Sequence, residues 1–322
     1  MNWLVTGGAG YLGAHVVAAL RNRDDRVVVV DDLSTGRTDR LSDGVVFVRE
    51  SVCNENEIRL LLNDLRVDGV MHFAAHKSAP ESVADPARYY RENVGGLAAL
   101  LGAVRQSPVR RLLLASSAAV YGVSAEVPLA EDRPTRPINP YGHTKLICEQ
   151  LLAAAGPAYG LSWCALRFFN IAGAGSAMLA DHAGQNVFPL LFRALQESRP
   201  FRIAGGAFAT PDGTGVRDYV HAEDAALACL AAADRLGGRP LAGVYNVGTG
   251  RGYSVRQIVE AAEEITGIRA HTAIAAARPG DPASVVANAD RIQRDLGWTA
   301  RRSLRDIIRS HWESAVRLVP IR

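Results

Sequence analysis

The chain has 322 residues, enough for one large domain or two unequal ones, and 48% apolar with 21% charged residues describes an ordinary globular protein rather than a disordered one. A net charge of +3 without a long basic run excludes a nucleic-acid footprint. Cys53, Cys148, Cys164 and Cys229 have neither metal-ligand nor C-x-x-C spacing, no apolar stretch approaches a membrane span, and a first strand from residue 2 leaves no room for a signal peptide, so a reduced, cytoplasmic, soluble protein without a metal is expected.

The chain opens on the apolar run Trp3-Leu4-Val5, turns at Thr6-Gly7-Gly8 and enters an apolar helix from about Gly10 to Leu20. Gly7, Gly10 and Gly13 are spaced G-x-x-G-x-x-G. Without Cβ atoms they allow a tight turn, close approach of a pyrophosphate to backbone N–H groups, and close packing of helix on strand. A second buried run, Val27 to Val30, ends in Asp31, whose carboxylate is placed to accept from an adenosine ribose. Asp31 with Asp32 also repels a 2′-phosphate, so the cofactor expected is NAD rather than NADP, with Arg37 the one nearby basic residue that argues otherwise.

Further buried-type strands fall near Val45–Val48, Gly69–His72, Arg111–Ala115 and Trp163–Arg167, separated by helical stretches. This alternation specifies an α/β fold, a Rossmann-type doubly wound parallel sheet, whose ligands bind at the carboxyl ends of the strands. After Asn170 the pattern loosens into glycine-rich loops and isolated helices. The chain is therefore divided into a dinucleotide-binding part, 1–170, and a smaller C-terminal substrate-binding cap, 171–322, with Val244–Val247 a strand that returns to the sheet or its edge. His72 and His76 flank a strand end without metal-ligand spacing and are read as structural, and Tyr121 as packing under the cofactor loop.

Between Tyr141 and Lys145 the sequence reads Y-G-H-T-K, and residues four apart on a helix share a face. An ammonium about 6 Å from a phenol, at an effective dielectric of about 20, favours the phenolate by roughly 2 to 3 kcal/mol, about two pKa units. Tyr141 is thereby expected to be shifted towards neutrality and to act as a general base for a hydroxyl proton.

These residues and the motifs T-G-G-A-G-Y-L-G, H-F-A-A-H-K, E-N-V-G-G, S-S-A-A-V-Y-G, N-P-Y-G-H-T-K, L-R-F-F-N, D-G-T-G-V-R-D-Y-V-H, Y-N-V-G-T-G, R-P-G-D and a closing L-G-W resemble, nearly end to end, the extended short-chain dehydrogenase/reductases and, among them, the UDP-glucose 4-epimerases. The resemblance implies that Tyr141 is base and acid at the sugar 4-hydroxyl, that Lys145 holds the nicotinamide ribose, and that Ser117 hydrogen-bonds the same hydroxyl. It places NAD against Gly7, Gly10, Tyr11, Leu12 and Gly13 of the turn, and against Asp31, Asp32, Ser51 and Val52 at the adenosine end. Phe73, Ala74, Ala75, Lys77, Asn93, Ala115 and Phe168 complete the cofactor set, together with Tyr141 and Lys145. A UDP-sugar is implied at Lys77, Ser117, Tyr141, Asn170, Asn186, Val187 and Val255, with Arg217 and Arg278 on the diphosphate, Asp281 on a ribose or sugar hydroxyl, and Val285 beside the hexose C2. Forked arginine donors suit a diphosphate.

Related reactions need residues this chain lacks. A 4,6-dehydratase of the superfamily carries Asp-Glu after the serine, where Ala118-Ala119 stand, and an enzyme of UDP-glucuronate needs a cation after Asn170, where I-A-G-A-G-S-A-M runs. The intact Tyr141, Lys145 and Ser117 set speaks against a noncatalytic NAD-sensing regulator. Ala204 stands where family members carry an aromatic residue on uracil, which leaves a dTDP-sugar open, and Ser51 stands where they carry an Asp near adenine. The segment Ser176 to Asn186 is short for the family and leaves a specialised substrate open. The resemblance also implies a homodimer through helices around 88–106 and 141–155, with Leu97, Leu100, Leu101 and Val104 on one and Leu146, Ile147, Leu151 and Leu152 on the other.

Overall fold

The computed structural model describes residues 1–181, 186–238, 241–278 and 280–318. Its strands are β1 (Asn2–Thr6), β2 (Arg26–Val30), β3 (Val46–Val48), β4 (Gly69–His72), β5 (Arg111–Ser117), β6 (Ser162–Phe168), β7 (Asn170–Ala172), β8 (Phe201–Ala204), β9 (Val216–His221), β10 (Ala242–Val247), β11 (Gly252–Ser254), β12 (Thr272–Ala275) and β13 (Ser284–Val285). Its helices are α1 (Tyr11–Arg21), α2 (Glu55–Asp64), α3 (Ala79–Ala84), α4 (Pro86–Tyr89), α5 (Gly96–Arg105), α6 (Pro140–Tyr159), α7 (Val187–Gln196), α8 (Ala222–Gly237), α9 (Val255–Thr266), α10 (Asp290–Leu296) and α11 (Leu304–Leu318).

A seven-stranded sheet runs in the order β10-β6-β5-β4-β1-β2-β3, with every pair parallel. The order reverses between β1 and β4, which opens a crevice at the carboxyl ends of those strands. Buried runs such as Val27–Val30 are apolar on both sides because helices cover both faces. On one face α1, α8 and α10 pack through Val16, Val17, Leu20, Ala225, Ala233 and Ile292; on the other α2, α5 and α6 pack through Ile58, Leu62, Leu97, Leu100, Cys148 and Leu152. The returning strand joins the sheet on β6, with Val244 opposite Ala165. Helix α8 comes with it and lies beside α1, so the later half of the chain gives this layer more than the single strand the sequence pattern suggested.

The remaining elements form a second body. A small sheet of β11, β9 and β13, with β7 also on β9, and the pair β8–β12 enclose their own core of Phe188, Leu191, Ile203, Tyr219, Ile258 and Ile307. Asp218 secures this body. It has no exposed surface and accepts from the backbone N–H groups of Thr249, Gly250 and Ala287 and from the Thr249 hydroxyl. Of the segment 176–186, residues 182–185 lie outside the described residues.

The expected dimer residues need correction. Leu97, Leu100, Leu101 and Val104 are at most 3% exposed within the single chain, because that face of α5 packs on the sheet and on α2. Leu152 is likewise buried, while Leu146, Ile147 and Leu151 keep part of their surface.

Two histidines clasp the loop that follows β7 to its surroundings. His15 Nδ1 donates to the Tyr11 carbonyl and Nε2 accepts from Gly175 N, so the ring is neutral with a fixed tautomer. His221 Nδ1 accepts from Glu223 N and Nε2 donates to Ser310 Oγ, which itself accepts from Ala174 N. Burial lowers both, to about 4. Each binds a proton more readily unfolded than folded, so its contribution is complete above the ordinary histidine value and is lost as pH falls towards 4. The carboxylates of Asp25, Asp212 and Asp306 are held below their usual range and titrate lower still. The midpoint of thermal unfolding is therefore expected to fall between about pH 6.5 and pH 4. Melting curves across that range check this, and a midpoint that stays level would show that the histidines are not the controlling groups.

Candidate active site

A cavity of about 740 Å³ lies between the carboxyl ends of the large sheet and the second body. Its first wall is the turn between β1 and α1. Gly7 has φ +70°, and a Cβ there would sit 2.5 Å from Ala74 N; a Cβ on Gly13 would sit 2.2 Å from Gly7 O. Only glycine allows these contacts. Gly10 is the N-cap of α1, no side chain caps the helix, and its first backbone bond is Ala14 N to Gly10 O. The amides of Tyr11 and Leu12 thus precede the first helical hydrogen bond at the cavity wall, with the positive end of the helix dipole behind them. This is a cradle for a pyrophosphate.

Asp31, at the end of β2, lines the same cavity. Its carboxylate accepts from Leu33 N at 2.8 Å and Ala9 N at 3.0 Å, one bond per oxygen, so each oxygen has lone-pair capacity left for a ribose hydroxyl. Burial raises its pKa, against the lowering effect of those two N–H bonds. Arg37 is engaged with Asp39, which turns the one cation that favoured a 2′-phosphate towards a carboxylate of its own loop. The residues present therefore fit NAD.

The chemical end of the cavity is made by β5 and α6. Asn139 caps α6 by accepting from Gly142 N, and Pro140 occupies its first turn. A Cβ at Gly142 would lie 2.6 Å from Ala119 O, so the glycine of Y-G-H-T-K lets this first turn press on the loop after β5 and brings Tyr141 to Ser117. Lys145 is 6% exposed, and its Nζ donates to Ala115 O at 2.8 Å.

The expected depression of the Tyr141 pKa is not found. Tyr141 lies in a cleft walled by protein, and desolvation raises its pKa, offset in part by a hydrogen bond with Ser117; no charge of Lys145 counteracts it. Lys145 is itself lowered by burial, with Cys148 and Glu149 acting the other way. The Coulomb argument from spacing alone omitted the desolvation that burial imposes on the phenolate.

At the opposite end Arg217 from β9, Arg278 and Asp281 line the cavity, and Arg217 donates to Asp281. Asn186 begins α7 and donates to Asp181 Oδ2 at 2.7 Å, and Val187 and Val255 lie beside this end. Asn170 hydrogen-bonds the Tyr219 hydroxyl.

Of the residues expected to act in catalysis or to bind cofactor or substrate, the structure brings all but two to this cavity. Asn93 is 1% exposed. Its Oδ1 accepts from His76 N and its Nδ2 donates to His76 O and Thr144 Oγ1, so it ties the loop after β4 to α6 and has no free donor for a cofactor. Val285 is not part of the cavity wall and packs instead against the cluster of Val120, Tyr121, Leu129, Phe169 and Ala287. Tyr121 does not lie under the cofactor loop: its hydroxyl donates to Asn246 Oδ1 and its ring carries the Arg167 guanidinium at 4.8 Å. His72 is structural, bonded to Thr6 Oγ1. His76, read from the sequence as structural, stands at the cavity wall, and so do Arg40, Arg202 and Tyr219, which sequence reasoning missed. Arg40 is 8% exposed and donates to Ala9 O and Ala180 O, contacts between distant segments with no motif to announce them.

A parallel sheet with a glycine-cradled dinucleotide site, facing a Tyr/Lys/Ser group and an arginine-bearing second body, defines an NAD-dependent enzyme that acts on an anionic, hydroxyl-bearing substrate. Residues 3–248 match the NAD dependent epimerase/dehydratase family. The chain is 42% identical to a UDP-glucose 4-epimerase of Azospirillum brasilense over 97% of its length and 92% of that protein, and 39% identical to one of Lactobacillus helveticus over 97% and 96%. Among solved structures it is similar to a UDP-glucose-4-epimerase from Stenotrophomonas maltophila with bound NAD and formylated UDP-arabinopyranose, with TM-score 0.94, 36% identity, and coverage of 99% of this chain and 98% of that one. The chain belongs to the NAD-dependent epimerase/dehydratase family.

Proposed function

We infer that this chain is an isomerase, an NAD-dependent UDP-hexose 4-epimerase that interconverts the gluco and galacto configurations. The observation that carries the reading is the meeting of Tyr141, Ser117 and Lys145 beside the glycine cradle in a cavity whose far end holds Arg217 and Arg278. The carbinol C–H bond at C4 is unactivated, so direct inversion has no easy route; the β1–α1 turn and Asp31 would hold NAD, which would supply a reversible hydride acceptor for C4. Tyr141 takes the 4-hydroxyl proton and returns it, and Ser117 holds that hydroxyl in line. The Lys145 ammonium, carried on the same helix face as the phenol, orients the nicotinamide ribose. Arg217 and Arg278 anchor the diphosphate and Asp281 a ribose hydroxyl. The binding energy then falls on the nucleotide, which leaves the hexose free to turn.

The division into a cofactor part, 1–170 with the strand at 244–247, and a cap, 171–322, accords with this assignment of ends. We place the protein in the cytoplasm as a homodimer. The contact would use the outward faces of α5 and α6, where Ala98, Gln150, Ala153 and Ala154 are exposed and Ile147 and Leu151 half-buried. Light scattering at micromolar concentration should give twice the mass of one chain, and a monomer would refute it.

Tyr141→Phe removes only the phenolic proton acceptor and should abolish nearly all epimerisation while bound NAD and fold remain. The decisive measurement is product analysis by NMR with UDP-glucose. Retention of more than about a tenth of kcat, a barrier change below about 1.4 kcal/mol, would overturn the role of Tyr141.

Substrate size rests on position 285, where the family resemblance implies a tyrosine in members restricted to glucose and galactose. Val285 packs against the cluster that contains Phe169, and Phe169 lines the cavity, so a phenol at 285 would bear on the sugar pocket through Phe169 and the valine relieves that pressure. Discrimination by bulk is worth about 1 to 3 kcal/mol. UDP-N-acetylglucosamine should be turned over with kcat/KM within about a hundredfold of UDP-glucose, and Val285→Tyr should remove that activity selectively. Equal loss of both activities would show instead that residue 285 governs folding or nucleotide binding.

A further inference from the structure

Behind the cavity lies a buried polar network that the reaction as described does not use. Glu149 stands one helical turn after Lys145 on α6 and is 5% exposed. Its Oε1 accepts from the Ser116 hydroxyl and from Arg167 Nε at 2.9 Å, and its Oε2 accepts from Arg167 Nη2 at 2.7 Å. Arg167, also 5% exposed, spends its remaining donor Nη1 on Tyr121 Oη at 2.9 Å and Glu131 O at 3.2 Å. Tyr121 Oη donates to Asn246 Oδ1, and Asn246 N donates to Glu131 Oε1, which carries the network onto β10. Neither Glu149 nor Arg167 lines the cavity. Their neighbours do: Ser116 adjoins Ser117, Arg167 adjoins Phe168, and Lys145 is one turn away.

We propose that Glu149 is a positioning residue for Lys145: it fixes α6 against the ends of β5 and β6 and sets a negative charge behind the buried ammonium. Among the described residues the groups that act on that ammonium are Cys148 and Glu149 from α6 itself and His72 from β4, while Arg167 from β6 is turned to Glu149 by two bonds. His72 is kept neutral by burial, and Cys148 is pushed up to about 11, so Glu149 is the anion that offsets the desolvation of Lys145. A carboxylate retained only for packing would be replaceable by apolar groups of the same size without consequence for the ammonium.

The chain offers a direct readout, since of its 36 lysines and arginines only Lys77 and Lys145 are lysines. Incorporation of 13Cε-lysine gives two signals, and Lys77→Arg assigns the one from Lys145. In Glu149→Gln the titration midpoint of Lys145 should fall by about one to two pH units relative to wild type, the alkaline limb of kcat should move down with it, and kcat at neutral pH should fall at least about tenfold at unchanged KM. Because the single variant leaves the Arg167 charge without its partner, Glu149→Met/Arg167→Met serves as a second, apolar replacement of the pair, with a smaller shift in the same direction. A Lys145 midpoint at the wild-type value in either folded variant, or an unchanged kcat in both, overturns the proposal. The proposal rests on Lys145 belonging to the reacting set. The NMR titration is independent of turnover, so it stands or falls apart from the epimerase reading.

Discussion

The burial of one ammonium organises this structure. Lys145 is held on the Ala115 carbonyl inside a fold that gives it almost no water, and a charge in that position is tolerated only with fixed polar partners. The network around it draws on three elements at once: the last residues of β5 give the Ala115 carbonyl and Ser116, the third turn of α6 gives Glu149, and Arg167 near the end of β6 pairs with Glu149. Register between β5 and β6, with Ser116 opposite Arg167, brings the two Glu149 ligands to one place, and the next pair, Ser117 opposite Phe168, forms cavity wall. The same ladder that stabilises the sheet thus sets the geometry of the site.

The cofactor end uses a different device, close approach of backbone to backbone. Gly7 against Ala74 and Gly13 against Gly7 leave no space for side chains, which puts the N-terminus of α1 at the cavity wall without an internal cap. The second body supplies charge on side chains instead. Arg217 and Asp281 pair with each other across β9 and the loop that includes Arg278. A fixed amide cradle suits a cofactor that stays, and forked arginines on a strand and a loop of the second body suit a diphosphate that must come and go.

What the sequence made legible was whatever rests on a local rule. The strand runs, the glycine turn, the acidic end at Asp31 and the Tyr141/Lys145 spacing each depend on a few adjacent residues, and the structure gathers them at one cavity. What it hid depends on distant partners. Asn93 reads as a cofactor contact until His76 and Thr144 are seen to consume its amide. Leu97, Leu100, Leu101 and Val104 read as a surplus apolar face until the sheet and α2 are seen to cover them. Arg40 carries no motif because its acceptors, Ala9 O and Ala180 O, are far apart in the chain. The phenol pKa failed for the same reason: spacing along a helix gives a distance between two groups, and burial, which decides the sign for Tyr141, is a property of the whole fold.

The use of lysine bears on function without any comparison between sequences. This chain meets nearly all its cationic needs with arginine, on surfaces and in buried pairs alike, yet its two lysines both stand at the wall of one cavity. Arginine stays protonated and brings a wide planar fork, whereas lysine offers a compact charge on a thin stem. At 145 the compact head bonds Ala115 O, and at 77 it sits 5.6 Å from the centre of the Tyr11 ring, beside the glycine cradle. Where a cation serves only solubility or ion pairing, the chain uses the fork. The compact ammonium is kept at two places on the wall of this one cavity, where a small point charge lies within reach of a ligand.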